Sequence, residues 1–335
     1  MHFTRIGELP TATGVQFERR MFRIVLALIL AAPAFAGDLL YDLTGRVSPA
    51  GRAGVLIFGA TSPFQAETES DDNGRFRFPK LRAGAYTIAV NMPDRGEARQ
   101  TVEVGPGTAD SRRRVFLTLQ FQESDFVLRD IARRENSVTA KQLAIPAKAL
   151  RDYLDARKDL EKHDAASAVK RLERAVKLAP QFSDAWNNLG TIAYQTRQYD
   201  RAEQYFRTAL QQDPKAYEPL VNLGGTLIST HKLDEALTYN QSAVLARPSD
   251  ALANSQLGLT YFLAGNMDAA MKYLEAARRI DPAHFSHPQL VLAEIHVRRG
   301  ENTAAADALE DFLQHHPDDP GAEKLKESIG KLRKQ

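Results

Sequence analysis

Residues 185–214 read AWNNLGTIAYQTRQYDRAEQYFRTALQQDP. The stretch holds the chain's only tryptophan, Trp186, followed by Gly190, Ala202 and Pro214. The same spacing returns along the chain. Prolines stand at Pro180, Pro214, Pro248, Pro282 and Pro317, with gaps of 34, 34, 34 and 35 residues. An alanine precedes each by twelve: Ala168, Ala202, Ala236, Ala270 and Ala305. Leu189-Gly190, Leu223-Gly224 and Leu257-Gly258 keep one phase in the middle copies. A fixed period of this length marks a stack of like units, not a fragment of an active site.

The pattern resembles the tetratricopeptide repeat family. The resemblance implies five helix-turn-helix copies over residues 149–320, stacked as an all-α superhelix. The proline then ends the second helix of each copy. The alanine is small because two helices cross closely there, and the glycine lets a neighbouring helix approach. The end copies depart from the pattern. Copy one has Asp155-Ala156 in place of Leu-Gly. Copy five has Leu292-Ala293, one extra residue before it, and Phe312 where the others carry alanine. Terminal copies lack a neighbour on one side. Residues 321–335, GAEKLKESIGKLRKQ, read as a capping helix with Leu325, Ile329 and Leu332 as its apolar stripe. Trp186 falls where the family packs tryptophan between helices, so its role is in the core.

A stacked array has a concave face, which the first helix of each copy lines in this family. At the sixth position of the middle copies stand Asn188, Asn222 and Gln256. Amides both donate and accept hydrogen bonds, so such a column suits the backbone of an extended peptide. It is similar in outline to the asparagine ladder of the O-GlcNAc transferase superhelix. Asn187, Thr191, Tyr194, Ser255, Phe262, Glu294 and Arg298 are the other candidates for partner contact on this face. The lysine-containing clamp of chaperone-binding members has no counterpart, because the matching positions are neutral. Arg157 and Arg298 fall at opposite ends of the array.

Upstream, the period changes to two. Phe76 and Phe78 alternate with Arg75 and Arg77; Tyr86, Ile88 and Val90 alternate with Thr87 and Ala89; Val102 and Val104 alternate with Thr101 and Glu103. This is the signature of half-buried strands. Asn73-Gly74, Ala83-Gly84, Pro93-Asp94 and Gly105-Pro106-Gly107 punctuate them as turns. The segment DDNGRFRFPKLRAGAYTIAV, residues 71–90, resembles the carboxypeptidase regulatory-like family, which shares its shape with Cna-B-type domains. Asp72, Gly74, Phe76, Phe78, Gly84 and Tyr86 carry the match, and Leu43-Thr44-Gly45-Arg46-Val47 fits its opening strand. The resemblance implies a prealbumin-like all-β sandwich of about seven strands over residues 37–121. Asp71 and Asp72 lack the further oxygen ligands a calcium ion needs. Asn73-Gly74 is read as a type I′ hairpin turn, with positive φ at both residues. Lys80 has no asparagine partner in the last strand for the isopeptide crosslink of some Cna-B domains.

Residues 21–36, MFRIVLALILAAPAFA, place Arg23 before a short apolar run and end on Ala34-Phe35-Ala36. The order is that of a cleaved export signal. The run is shorter than the ~20 residues that span a bilayer. Residues 1–20 are a polar extension, and Met21 is an alternative start. The expected location is periplasmic or secreted. Residues 122–148 read as a linker in which Phe126, Leu128 and Ile131 face one neighbour or the other, and Ile145-Pro146 opens a helix.

The chain has 335 residues, 43% hydrophobic and 26% charged, enough for two or three packed domains. Its net charge of +2 lacks the basic excess of a nucleic-acid binder. Arg112-Arg113-Arg114 reads as a solvated turn or edge strand. With no cysteine, disulfides, thiolate metal sites and cysteine nucleophiles are excluded. His284 and His287, with His315 and His316, form two pairs that fall short of the usual four zinc ligands. No phosphate loop, GxSxG or HExxH motif is present. The sequence thus points to an exported, non-enzymatic adaptor without cofactor or metal, binding a protein or peptide in the array's groove. The alternative is a cell-envelope glycan binder that uses the sandwich.

Overall fold

The computed structural model describes residues 39–126 and 144–334. The export-signal reading, Leu128 and Ile131 lie outside them.

Seven strands form the first unit: β1 Leu40–Ser48, β2 Gly54–Gly59, β3 Gln65–Glu69, β4 Arg75–Arg82, β5 Gly84–Met92, β6 Gly96–Val104 and β7 Arg114–Gln120. They make a three-stranded sheet, β4-β1-β7, and a four-stranded sheet, β3-β2-β5-β6. β7 runs parallel to β1, while the other pairings are antiparallel. Alternation puts Leu43, Val47, Val55, Ile57, Phe76, Phe78, Ile88 and Val90 between the sheets, all buried. Phe126 joins this core through an edge-on contact with Phe121 at 5.7 Å.

The Asn73-Gly74 turn differs from its type I′ reading. Only Gly74 has positive φ, at 75°. Its N–H donates to the Asp71 carbonyl at 2.8 Å, and the Asp71 side chain accepts from the Asn73 and Arg75 N–H groups. This is a type I turn closed by a left-handed glycine. The reason lies in the topology. β3 and β4 belong to different sheets, so the turn need not match the twist of one hairpin.

The second unit is a run of antiparallel helices: α1 Ala147–Glu161, α2 Ala165–Leu178, α3 Ser183–Gln195, α4 Tyr199–Gln212, α5 Tyr217–Ser229, α6 Leu233–Ala246, α7 Ala251–Leu263, α8 Met267–Ile280, α9 Pro288–Arg298, α10 Asn302–His315 and α11 Ala322–Leu332. Consecutive pairs are the five copies, and α11 closes the stack with Leu325 and Leu332 buried. The periodic alanines 168, 202, 236, 270 and 305 have no exposed surface, as a close helix crossing requires. Gly190 shows why glycine recurs: a Cβ there would lie 2.5 Å from the Phe206 ring of α4. Copy three breaks the apolar pattern with Asn240, fully buried where its neighbours have Phe206 and Leu274. Its Nδ2 donates to Thr260 Oγ1 of the next copy at 3.0 Å. Trp186 is only half-buried. Its indole N–H donates to the Pro180 carbonyl at 2.8 Å, and its ring lines a shallow groove of about 290 Å³ with Val176, Leu189 and Tyr205.

Among the described residues, no helix is long and apolar enough to cross a membrane.

Candidate functional site

The first helices of the copies bring the candidate residues into two groups. In copies two to four the amides line the first helices, and one pair engages across copies. Asn222 Nδ2 donates to Asn187 Oδ1 at 3.2 Å across neighbouring helices. Asn188 meets the Tyr153 hydroxyl, whose pKa burial pushes up to about 12. Gln256 lies against Gly225, where a Cβ would come within 2.4 Å of its Nε2; its Oε1 is buried without a partner. Thr191 Oγ1 is tied to the Asn187 carbonyl at 3.0 Å. Tyr194 is 37% exposed, with its hydroxyl 3.4 Å from Ser229 Oγ.

The second group sits deeper. Ser255 is buried and accepts from Ser286 Oγ at 2.6 Å. Phe262 and Glu294 are buried as well, under Arg298. The Arg298 guanidinium lies 4.7 Å from the Phe262 ring centre, and its Nε donates to Glu294 Oε1 at 2.8 Å. Of the candidates, Asn187, Asn188, Thr191, Tyr194, Asn222, Gln256 and Arg298 keep accessible surface, while Ser255, Phe262 and Glu294 are buried.

The four-stranded sheet spans this trough. At the turns inside the copies, the Phe64 ring stacks on His163 at 4.6 Å, and Gln195 Nε2 donates to the Gly59 carbonyl at 2.9 Å. Arg157 pairs with Glu67 of edge strand β3. On the opposite edge, the loops between copies receive edge strand β6. Arg99 pairs with Glu218 at 3.2 Å, and Arg247 lies 3.6 Å from the same carboxylate. Asp281 accepts from the Thr101 N–H at 2.8 Å; His316 meets Glu103 at 2.6 Å; Asp318 accepts from the Gly107 N–H at 2.8 Å. A Cβ on Gly105 or Gly107 would sit 2.4 or 2.7 Å from the Asp318 carboxylate, so the glycines permit the approach. Ala89 and Thr101 are on the sheet's outer face, outside the sandwich core, yet each is 1% exposed. The array is what covers them.

Electrostatics sharpen this seam. Burial would raise the Glu218 carboxyl, but Arg99 and Arg247 offset it and hold the group below its usual range. Burial pushes Asp281 up to about 6. His284 and His287 are pushed down to about 3, again by burial. The sign follows from linkage. A depressed histidine contributes stability that is complete above its unfolded value of 6.5 and is lost as pH falls toward 3. A raised Asp281 works oppositely, favouring the folded state as pH falls from about 6. Two histidines, each shifted further than the one carboxyl, outweigh it. The melting temperature should therefore fall between pH 7 and pH 5 in a calorimetric series. A flat or rising profile would show that this loop stays protonatable when folded.

His287 and His316 do approach, with ring centres 4.5 Å apart, while His315 turns to the Asp311 carbonyl. Among the described residues no group of three or more histidine or acidic side chains is placed to hold a metal ion.

Periodic small residues, buried helix crossings and a sandwich with prealbumin-like strand pairing define the class. Models of the tetratricopeptide repeat match residues 153–217, 193–257 and 261–329, and the chain belongs to that family. The carboxypeptidase regulatory-like domain model matches residues 41–119. Among curated proteins none matches. Solved structures similar to this chain include MamA residues 41-end from Desulfovibrio magneticus RS-1, at 20% identity and TM-score 0.47, covering 53% of this chain and 99% of that one. PilF of Pseudomonas aeruginosa is 20% identical with TM-score 0.49, covering 56% and 85%. YrrB, described as a repeat protein with an unusual peptide-binding site, is 21% identical with TM-score 0.45, covering 59% and 97%.

Proposed function

We propose that this protein is an exported, non-catalytic interaction scaffold whose concave face receives an extended segment of a partner protein when the four-stranded sheet that spans it lifts. One observation carries the reading. The array already holds polypeptide main chain through side chains: Gln195 on the Gly59 carbonyl, Asp281 on the Thr101 N–H and Asp318 on the Gly107 N–H. Contacts of this kind read backbone and tolerate many sequences. The half-buried amides Asn187, Asn188, Asn222 and Gln256 offer the same chemistry along the floor of the trough. Nothing in this role requires a catalytic group. Export rests on the signal-like segment 21–36.

The test is photo-crosslinking through a reactive group placed at Tyr194, in envelope extract. The baits are the mature chain and the same chain with Asn188, Asn222 and Gln256 changed to Ala. Matching thermal melts come first. Preys crosslinked by the first bait and reduced at least tenfold with the second support the groove. Equal crosslinking by both would remove the amide column from the binding site.

A further inference from the structure

The outer face of the three-stranded sheet points away from the array, since the seam uses the other sheet. Its charge is lopsided. Arg46, Arg75, Arg77 and Arg114 project from it, with Leu40 and Phe116 among them. In register, Arg46 stands directly opposite Arg75. Like charges so placed destabilise a strand pair. The acids nearby are already engaged: Asp42 with Arg77 at 2.6 Å, and Asp110 with Arg114 at 2.7 Å. Among the described residues, Arg46 Nε reaches only the Asn73 carbonyl and the Arg75 side chain has no partner. Arg112 and Arg113, exposed in the turn before β7, extend the same field. Phe116 is 60% exposed and Leu40 41%.

Repelling guanidiniums beside bare apolar groups are unfavourable in water. They become favourable against a flat surface with negative charge outside and hydrocarbon beneath. We propose that this face docks the protein on a membrane of anionic, phosphate-bearing lipids. Arg46, Arg75, Arg112 and Arg113 meet headgroup phosphates, while Phe116 and Leu40 enter the headgroup–acyl boundary. A single-stranded nucleic acid fits less well. The Arg114 guanidinium already lies 5.2 Å from the centre of the Phe116 ring, over the face on which a base would stack. The docked orientation leaves the array facing away from the lipid.

Co-sedimentation of the full chain with phosphatidylcholine vesicles, with and without phosphatidylglycerol, tests this. Binding should require the anionic lipid and weaken with salt. Arg75→Glu should reduce binding about tenfold or more, since each basic residue near such a surface contributes ~1 kcal/mol and a reversal moves two charges. The same change should leave the melting temperature equal or higher, because the introduced carboxylate would then face Arg46. Loss of binding without loss of stability separates a lipid contact from a folding defect. Phe116→Ser should weaken binding several-fold at unchanged charge. Failure of the wild-type chain to bind anionic vesicles, or equal binding by Arg75→Glu, overturns the proposal. So does capture of a single-stranded oligonucleotide or an acidic protein without capture of vesicles.

Discussion

Phe206→Ala should destabilise the repeat array by about 3–5 kcal/mol, the range for deleting a fully buried phenylalanine. Its side chain is 1% exposed and packs with Ala193, Leu223, Leu227 and Ala236. It also presses on Gly190 of the facing helix, where no methyl group fits. Removing the ring opens a cavity bounded by four helices, which close-packed neighbours only partly refill. Trp186→Ala, at the family's best-known position, should cost about half as much, because one side of its ring faces the open groove. Urea unfolding followed by circular dichroism compares the two. A tryptophan variant weaker than the phenylalanine variant would contradict the packing described here.

The second large effect is at the seam. Asp281→Lys should detach the four-stranded sheet from the loops between copies. The carboxylate is 3% exposed and caps the Thr101 N–H of β6. A lysine there would leave that N–H unmatched and bury an unpaired cation, a change of ~3–5 kcal/mol for buried charged partners. The sandwich and the array have separate cores, so each should remain folded. Small-angle scattering would show an increased radius of gyration. Distance measurements between labels are straightforward, because two introduced cysteines have no native cysteine to compete with them in this chain. An unchanged radius would mean that Arg99–Glu218 and His316–Glu103 hold the seam without Asp281. If the groove serves a partner, the same variant should also bind it more tightly, since the covering sheet has lifted.

The repeat was legible because its constraint is periodic. Every close crossing demands a small residue, and all five alanines are fully buried. Strand alternation was legible for the same reason: Phe76 and Phe78 point inward while Arg75 and Arg77 point out. The Asn73-Gly74 turn was not, since its type depends on which sheets the flanking strands join. Nor was the seam, whose Thr101–Asp281 contact links residues 180 apart. A trace of it was nonetheless present. The residue before each repeat proline runs Ala179, Asp213, Arg247, Asp281, His316. Repeat packing gives no reason for this drift from apolar to charged, and the last three of these residues face the sandwich. Ser255, Phe262 and Glu294 share the phase of the groove, and phase does not show that Ser286 meets the first and Arg298 lies over the other two.

A row of stacked helices normally behaves like a spring: each copy touches only the next, the ends fray first, and the curvature flexes. Here copy one is tied to β3 through Arg157 and Glu67, and copy five to β6 through His316 and Glu103. Both strands belong to one stiff sheet. The spring is thus strung like a bow, with the sheet as its string. Strand β6 follows the row from Glu218 of copy three to His316 of copy five, while β3 holds copy one, so loosening either edge of the sheet should be felt in the curvature of the row.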